Sequence, residues 1–413
     1  MKYLILVGDG MADFPLDDKD GRTPLEIAHT PAMDALAREG ALGLFTPIPE
    51  GMDPGSDIGN LSLFGFDPRE AFTGRAPLEA ANRGIMLREG EVAFRCNLVT
   101  LLDGRMANFT ADHIATDDAA QLIDAIDAAC ADLPIRFVSG VSYRHLAFLE
   151  PGLLRRDDLP QLICTPPHNI SDQPYAPHLP QGPGAELLET IAERAGAVLA
   201  DHPLNTARIA RGTLPANAIW LWGHGTAPRI ATYPELYGIT GAVVSAVDLV
   251  KGIGRCAGLE ILDVPGATGY LGTDYAGKVA AALDALDRCD LVYLHVEAPD
   301  ETAHEGRLDL KIQAIEEFDR HVVAPCVAGL RTRPAWRVLV APDHITALST
   351  RTHAGGPVPF ALVGKGIASN GGLDYSERAA AATGLFVNPG FELISPMIRE
   401  ARPSFSFASA NLD

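Results

Sequence analysis

Short runs rich in Val, Leu and Ile recur at residues 3–7, 291–296, 338–341 and 360–363, each running into glycine or polar positions. Runs that are apolar at nearly every position mark strands covered on both faces, as a parallel sheet requires. Helical periodicity separates them. Thr30, then Pro31, with Met33, Leu36 and Ala37 on one face and Gly40 behind them, predicts a helix capped by Thr30. The Ala- and Leu-rich residues 276–289 predict another, and residues 308–323 a third, with Ile312, Ile315, Phe318 and Val322 on its apolar side. The alternation predicts an α/β fold, a mostly parallel sheet flanked by helices.

Between residues 68 and 235 the pattern is mixed and broken by Pro/Gly-rich passages such as Thr165-Pro-Pro-His-Asn and Pro180-Gln-Gly-Pro-Gly-Ala. This predicts a second α/β domain at 68–235, inserted into a first domain made of 1–67 and 236–413. No fixed-period repeat or low-complexity tract occurs, and residues 402–413 read as a loose terminus or a surface strap.

The chain has 413 residues, 47% hydrophobic and 21% charged, with a formal net charge of −20. That composition excludes a disordered chain or a small disulfide scaffold and leaves room for a large core. The negative balance argues against a nucleic-acid partner or an anionic membrane surface, so an anionic substrate must meet a local basic pocket. The six cysteines form no short paired motif and read as reduced thiols. No apolar stretch approaches the roughly 18 residues of a membrane span, and the run at 3–7 is too short for a signal peptide. A cytoplasmic enzyme is the expectation.

Three segments place Asp or His just beyond a predicted strand: Asp9; Asp300 with His304; and Asp343 with His344. The carboxyl ends of parallel strands share one edge of the sheet, where ligands bind, so these groups can meet. The four-residue spacing of Asp300 and His304 puts both on one side of a helical turn, within reach of one ion. His353, ahead of the last apolar strand, is a further candidate. Six potential ligands exceed what one tetrahedral ion needs and point to a two-metal site. The mixed carboxylate and imidazole set favours manganese, zinc or iron, with magnesium at a more oxygen-rich position.

Ser56, in Pro54-Gly-Ser-Asp-Ile-Gly-Asn60, lacks the surroundings of a serine-hydrolase elbow, which leaves metal coordination as the route to activating its hydroxyl. Gly252-Ile-Gly-Arg-Cys-Ala-Gly258 has the wrong glycine spacing for a dinucleotide loop, and no Walker A sequence is present.

Taken together, the Asp9 strand end, Ser56 within Pro-Gly-Ser-Asp-Ile-Gly-Asn-Leu-Ser-Leu-Phe-Gly-Phe-Asp-Pro, Asp300-x-x-x-His304, Asp343-His344 and His353-x-x-x-Pro-Val-Pro resemble the archaeal-type cofactor-independent phosphoglycerate mutases of the alkaline phosphatase superfamily. The likeness extends through His202-Pro-Leu-Asn-Thr-Ala-Arg208 and Ser245-Ala-Val-Asp-Leu-Val-Lys251. It implies an alkaline-phosphatase-like fold with a substrate-binding transferase insertion. It also implies two divalent ions, manganese first, with magnesium, zinc or cobalt as alternatives. One would be held by Asp300, His304 and His353, the other by Asp9, Ser56, Asp343 and His344. Ser56 would carry phosphate between the 3- and 2-hydroxyls of glycerate, a glycolytic isomerisation that needs no 2,3-bisphosphoglycerate. The two domains would close on a small phosphorylated metabolite through hinges near 65–70 and 235–240. Lys251, Arg208, Arg144 and His113 would face its phosphate and carboxylate.

In one place the chain departs from the pattern. Where these mutases have an arginine, the stretch Ala216-Asn-Ala-Ile-Trp-Leu-Trp222-Gly-His224-Gly carries Trp222. An indole cannot grip an oxyanion as a guanidinium does, so the departure implies either compensation by His224 or a different substrate. A homoserine kinase-like phosphotransferase or a metal-dependent phosphatase on the same scaffold is the alternative.

Overall fold

A computed structural model describes residues 1–399; the segment 402–413 lies outside the described residues. Two compact units make up the chain, Met1–Phe72 with Arg229–Asp413 as the first and Thr73–Pro228 as the second.

Fifteen strands run through the described residues. The first two belong to the first unit: β1 (Lys2–Gly8) and β2 (Ala41–Phe45). The second unit contributes β3 (Val92–Leu102), β4 (Arg105–Asn108), β5 (Ile135–Val141), β6 (Arg144–Leu149) and β7 (Ala218–Gly225). The first unit resumes with β8 (Gly241–Val244), β9 (Glu260–Leu262), β10 (Leu291–Val296), β11 (Trp336–Ala341), β12 (Ile345–Ala347), β13 (Thr352–Ala354), β14 (Val358–Gly364) and β15 (Phe386–Val387).

The first unit is a mixed α/β structure on an eight-stranded sheet of order β15-β2-β14-β11-β1-β10-β8-β9. β1 lies at its centre, parallel to β10 on one side and β11 on the other. Leu4, Ile5, Leu6 and Val7 have no exposed surface, because helices cover both faces of this strand. Each such fully buried Leu, Ile or Val side chain contributes roughly 1.5–3 kcal/mol. The run at 360–363 departs from the parallel expectation, since β14 is antiparallel to both β11 and β2. An apolar run reports burial on two faces and carries no sign of direction, which depends on the length of the connection.

Helices occupy Pro31–Glu39, Tyr275–Arg288 and Leu308–Phe318, the last continuing as a π-helical turn over Asp319–Val323. Thr30 does not cap the first of them. Its open N–H groups are satisfied from across the fold by Asp319, whose carboxylate accepts from Ala32 (3.1 Å) and Met33 (2.7 Å). Pro31 still sits where its fixed φ starts the helix, so the helix forms as expected while the cap comes from elsewhere.

The second unit is built differently from the α/β expectation. Its five strands are all antiparallel, with β3 pairing β4, β6 and β7, and β5 pairing β6. Phe94, Cys96 and Leu98 of β3 point into a core with helices Thr116–Ala129 and Ala185–Ala200. The alternate residues Arg95 and Asn97 fall on the other face, with Trp222, Trp220 and Arg144 as their cross-strand partners.

Among the described residues no helix is long and apolar enough to cross a membrane, and all six cysteines are free.

Candidate functional site

The site grows from the carboxyl edge of the first unit's sheet. Because β1, β10 and β11 are parallel neighbours, Asp9 beyond β1, the helix Ala298–His304 beyond β10, and Asp343 with His344 beyond β11 emerge side by side. His353 comes to the same edge on β13, opposite Thr346 of β12. Ser56 is the first residue of the helix Ser56–Leu63, where the helix dipole favours a developing negative oxygen.

Two glycines permit this crowding. A Cβ on Gly10, whose φ is +57°, would run into the side chains of Thr346 and Asp300. A Cβ on Gly59 would collide with the main-chain carbonyl of Asp343, so the helix that carries Ser56 can approach the Asp343 loop only with glycine there.

The seven residues singled out in the sequence are brought together. His304 Nε2 is 3.2 Å from Asp300 Oδ2 and 3.0 Å from His353 Nε2, and His353 Nε2 is 3.4 Å from Asp300 Oδ1. His304 Nδ1 is fixed on the carbonyl of Arg351 (2.9 Å), which aims the other ring nitrogen inward. His344 Nε2 is the hub of the second group, 3.1 Å from Ser56 Oγ, 3.2 Å from Asp9 Oδ1 and 3.5 Å from Asp343 Oδ2. Thr346 Oγ1 links the groups, donating to Asp300 Oδ1 and lying 3.1 Å from His344 Nδ1.

Burial and the neighbouring charge of Asp9 hold the Asp343 carboxyl well above its ordinary pKa. Burial works against a charged His344, but Asp343 and Asp9 carry its imidazole up to about 10. Asp300 raises His304 to about 9. In the protein alone, protons held by these imidazoles and by Asp343 therefore offset the charge of the buried Asp9 and Asp300 carboxylates. A divalent cation would displace those protons and do the same work. The residues present fit such ions: Asp9 Oδ1 is buried and accepts no hydrogen bond, and carboxylate and imidazole atoms lie within 4.8 Å of one another in three overlapping sets. Those sets are Asp300/His304/His353, Asp9/Asp300/His344 and Asp9/His295/Asp343.

Several contributors escaped the sequence reading. His295 sits inside β10, where it reads as one more buried position. Asn60 and Tyr293 form a relay, Tyr293 Oη donating to Asn60 Oδ1 (2.6 Å) and Asn60 Nδ2 to Asp343 Oδ2 (2.6 Å). Lys311, fully buried, bonds to Asp13 Oδ2 (2.8 Å) and to the carbonyls of Ala12 and Thr346, tying the loop after β1 to β12.

Of the proposed anion-binding residues, Lys251 belongs to the first unit and is ion-paired to Asp263 (2.8 Å). Arg208, Arg144 and His113 belong to the second. Arg208 is buried, and its guanidinium donates to the carbonyls of Leu214 (3.0 Å) and Ala111 (2.7 Å). Arg208 thus braces the main chain at these two carbonyls. The segment it holds is a rare left-handed turn, with φ of +47°, +58° and +48° at Ala111, Asp112 and His113. Asn108 Oδ1 supports the turn by accepting from the main-chain N–H groups of Thr110 and Asp112, and His113 emerges from it exposed.

On the polar face of the second unit, the Arg95 guanidinium lies 4.0 Å over the Trp222 ring, and Arg95 Nε is 3.0 Å from Glu79. The indole donates to Asn97 Oδ1 (3.0 Å), and His168 packs edge-on against it at 5.3 Å. Burial holds the Arg95 pKa below its ordinary value; Glu79 opposes this, and the charges of Arg75 and Arg144 add to it, placing three arginines near one another. His224 is partly buried, bonded to the Leu159 carbonyl (3.1 Å) and tilted against the Phe94 ring at 5.4 Å. The cation at this place is Arg95.

Known proteins resemble this chain over nearly its whole length. The family model for 2,3-bisphosphoglycerate-independent phosphoglycerate mutase matches residues 37–205. A 2,3-bisphosphoglycerate-independent phosphoglycerate mutase of Methanothrix thermoacetophila is 50% identical over 399 residues, covering 96% of this chain and all of the relative. A probable enzyme of the same name from Geobacter sulfurreducens is 49% identical over 403 residues, with 96% and 100% covered. Among solved structures, the PH0037 protein of Pyrococcus horikoshii superimposes with a TM-score of 0.81 at 29% identity, covering 98% of this chain and 99% of that one. The cofactor-independent phosphoglycerate mutase of Thermoplasma acidophilum gives 0.67 at 26% identity, with 97% and 100% covered.

Proposed function

Because this chain belongs to the 2,3-bisphosphoglycerate-independent phosphoglycerate mutase family, we propose that it interconverts 3-phosphoglycerate and 2-phosphoglycerate through a phosphoserine at Ser56. The observation that carries the reading is the position of Ser56 Oγ: at a helix N-terminus, 3.1 Å from His344 Nε2, beside the two groups of carboxylates and imidazoles. A homoserine kinase-like or phosphatase activity is not favoured, since relatives matching nearly the whole chain are named as mutases.

Two divalent cations, manganese first, would be held by Asp300, His304 and His353 and by Asp9, Ser56, Asp343 and His344. When bound they lower the pKa of the serine hydroxyl and offset the charge of the phosphoryl oxygens. Ser56 Oγ attacks phosphorus as the bond to the glycerate 3-oxygen breaks, and the proton lost by Ser56 ends on that oxygen. After glycerate turns, its 2-hydroxyl attacks the phosphoserine and the proton returns to Ser56, so the cycle consumes neither water nor a net proton. Asn60 and Thr346 hold Asp343 and Asp300 in place throughout.

Arg95, Arg144 and His113 of the second unit are the anion-recognising groups of this reading, with Lys251 in the first unit. The ligand is a small phosphorylated metabolite, and the free thiols fit a cytoplasmic location. Phosphorus NMR of protein incubated with Mn²⁺ and 3-phosphoglycerate tests the proposal. It requires 2-phosphoglycerate to appear, and Ser56→Ala to abolish both turnover and the phosphoprotein; release of inorganic phosphate alone, or full activity of Ser56→Ala, overturns it.

A further inference from the structure

The first unit holds one more imidazole at its centre than the family resemblance implies. His295 is completely buried in β10, and the parallel register sets it opposite Val7, two residues before Asp9. Its Nε2 is 2.9 Å from Asp9 Oδ2, yet the two lack the alignment of a hydrogen bond, and Nε2 has no other hydrogen-bond partner. Asp9 Oδ1 is likewise without one. Two buried polar atoms are thus left without a hydrogen bond, which disfavours the closed-up centre. A cation touching both removes that cost.

The far side of the ring shows the same design. His295 Nδ1 is 3.3 Å from Ser245 Oγ, and Ser245 Oγ is itself anchored by the main-chain N–H of Val247 (3.0 Å). Ligating imidazoles are commonly oriented in this way, through a bond to the nitrogen that does not touch the metal. A separation of 2.9 Å also suits two neighbouring atoms in the shell of one ion, and falls beside the 3.0 to 3.5 Å spacings of the other inward-facing atoms.

We propose that His295 Nε2 is a further ligand of the cation held by Asp9 and Asp343, with Ser245 as the residue that orients it. This rests on the reading that the centre takes divalent ions, and it stands apart from which phosphate ester the protein acts on. The added imidazole makes that position richer in nitrogen, and so more favourable to Co²⁺ or Zn²⁺ over Mg²⁺ than three oxygens and one imidazole would be.

Titration of metal-free protein with Co²⁺, followed by calorimetry and by visible absorption, tests the assignment without reference to turnover. Wild-type protein is expected to show the absorption of bound Co²⁺. His295→Gln is expected to weaken one of the ions about 100-fold and to shift the bands, because a ligating nitrogen is lost. Ser245→Ala is expected to weaken the same ion about 10-fold with the bands in place. Unchanged affinity in His295→Gln, or weaker binding with an unshifted spectrum, overturns the assignment. If His295→Gln does not fold, Ser245→Ala decides, and wild-type affinity in that variant overturns it. No Co²⁺ uptake by wild-type protein would overturn the metal reading of the whole centre, an outcome separable from the failure of His295 alone.

Discussion

The Asn60 amide donates a 2.6 Å hydrogen bond to Asp343 Oδ2, joining the helix that carries Ser56 to the loop beyond β11 across 283 residues of sequence. The same side chain accepts from Tyr293 Oη and donates to the Ser56 carbonyl, so serine and carboxylate are held in register by one residue.

Tyr293→Phe leaves Asn60 Oδ1 buried without its donor, which costs about 1–3 kcal/mol. A lower melting temperature is expected, with kcat reduced roughly 10-fold as Asp343 loses its fixed position. Thermal unfolding and steady-state kinetics on the same preparation check both; wild-type values for both would show that the relay does nothing.

Gly59→Ala places a methyl group against the Asp343 main-chain carbonyl, where no flexible side chain can yield. The expected result is a loss of about 1–3 kcal/mol in urea unfolding, as for other overpacked sites, despite the higher helix propensity of alanine.

Trp222→Leu removes the ring beneath Arg95. A cation–π contact is worth about 0.5–2 kcal/mol, so KM for phosphoglycerate should rise roughly 2- to 30-fold while kcat changes little. Trp222→Phe should recover part of the loss. A fall in kcat with unchanged KM would place Arg95 outside substrate binding.

Glu377 accepts from Thr23 Oγ1 and from the Asp13 N–H, and burial raises its carboxyl to about 7. Because the folded state holds this proton more tightly than the unfolded chain, the contribution is complete below about 4.5 and is lost as pH rises through 7. Urea unfolding across that window should show stability declining with pH. Glu377→Gln should remove this step.

Much of the centre was legible because its residues follow strands. Asp9, Asp300 and Asp343 come after apolar runs that pair in parallel, and that geometry makes a carboxyl edge. His295 was not legible, since a histidine within Leu-Val-Tyr-Leu-His-Val is indistinguishable in sequence from a satisfied core residue; only its register opposite Val7 gives it meaning. The bracing role of Arg208 was not legible either, since its partner, the carbonyl of Ala111, lies in a segment where three residues take left-handed conformations that a helical arginine does not announce. The antiparallel sheet of the second unit was obscured because strands joined by hairpins and strands joined by helices can share the same apolar content.

The place of β1 between β10 and β11 has a bearing on biosynthesis. β1 leaves the ribosome ahead of both its neighbours and must wait with its edges unpaired while the second unit and the strands β8 to β11 are translated. Nascent chains that stop before β10 would present a bare, largely apolar ribbon, a natural target for chaperones and a seed for aggregation.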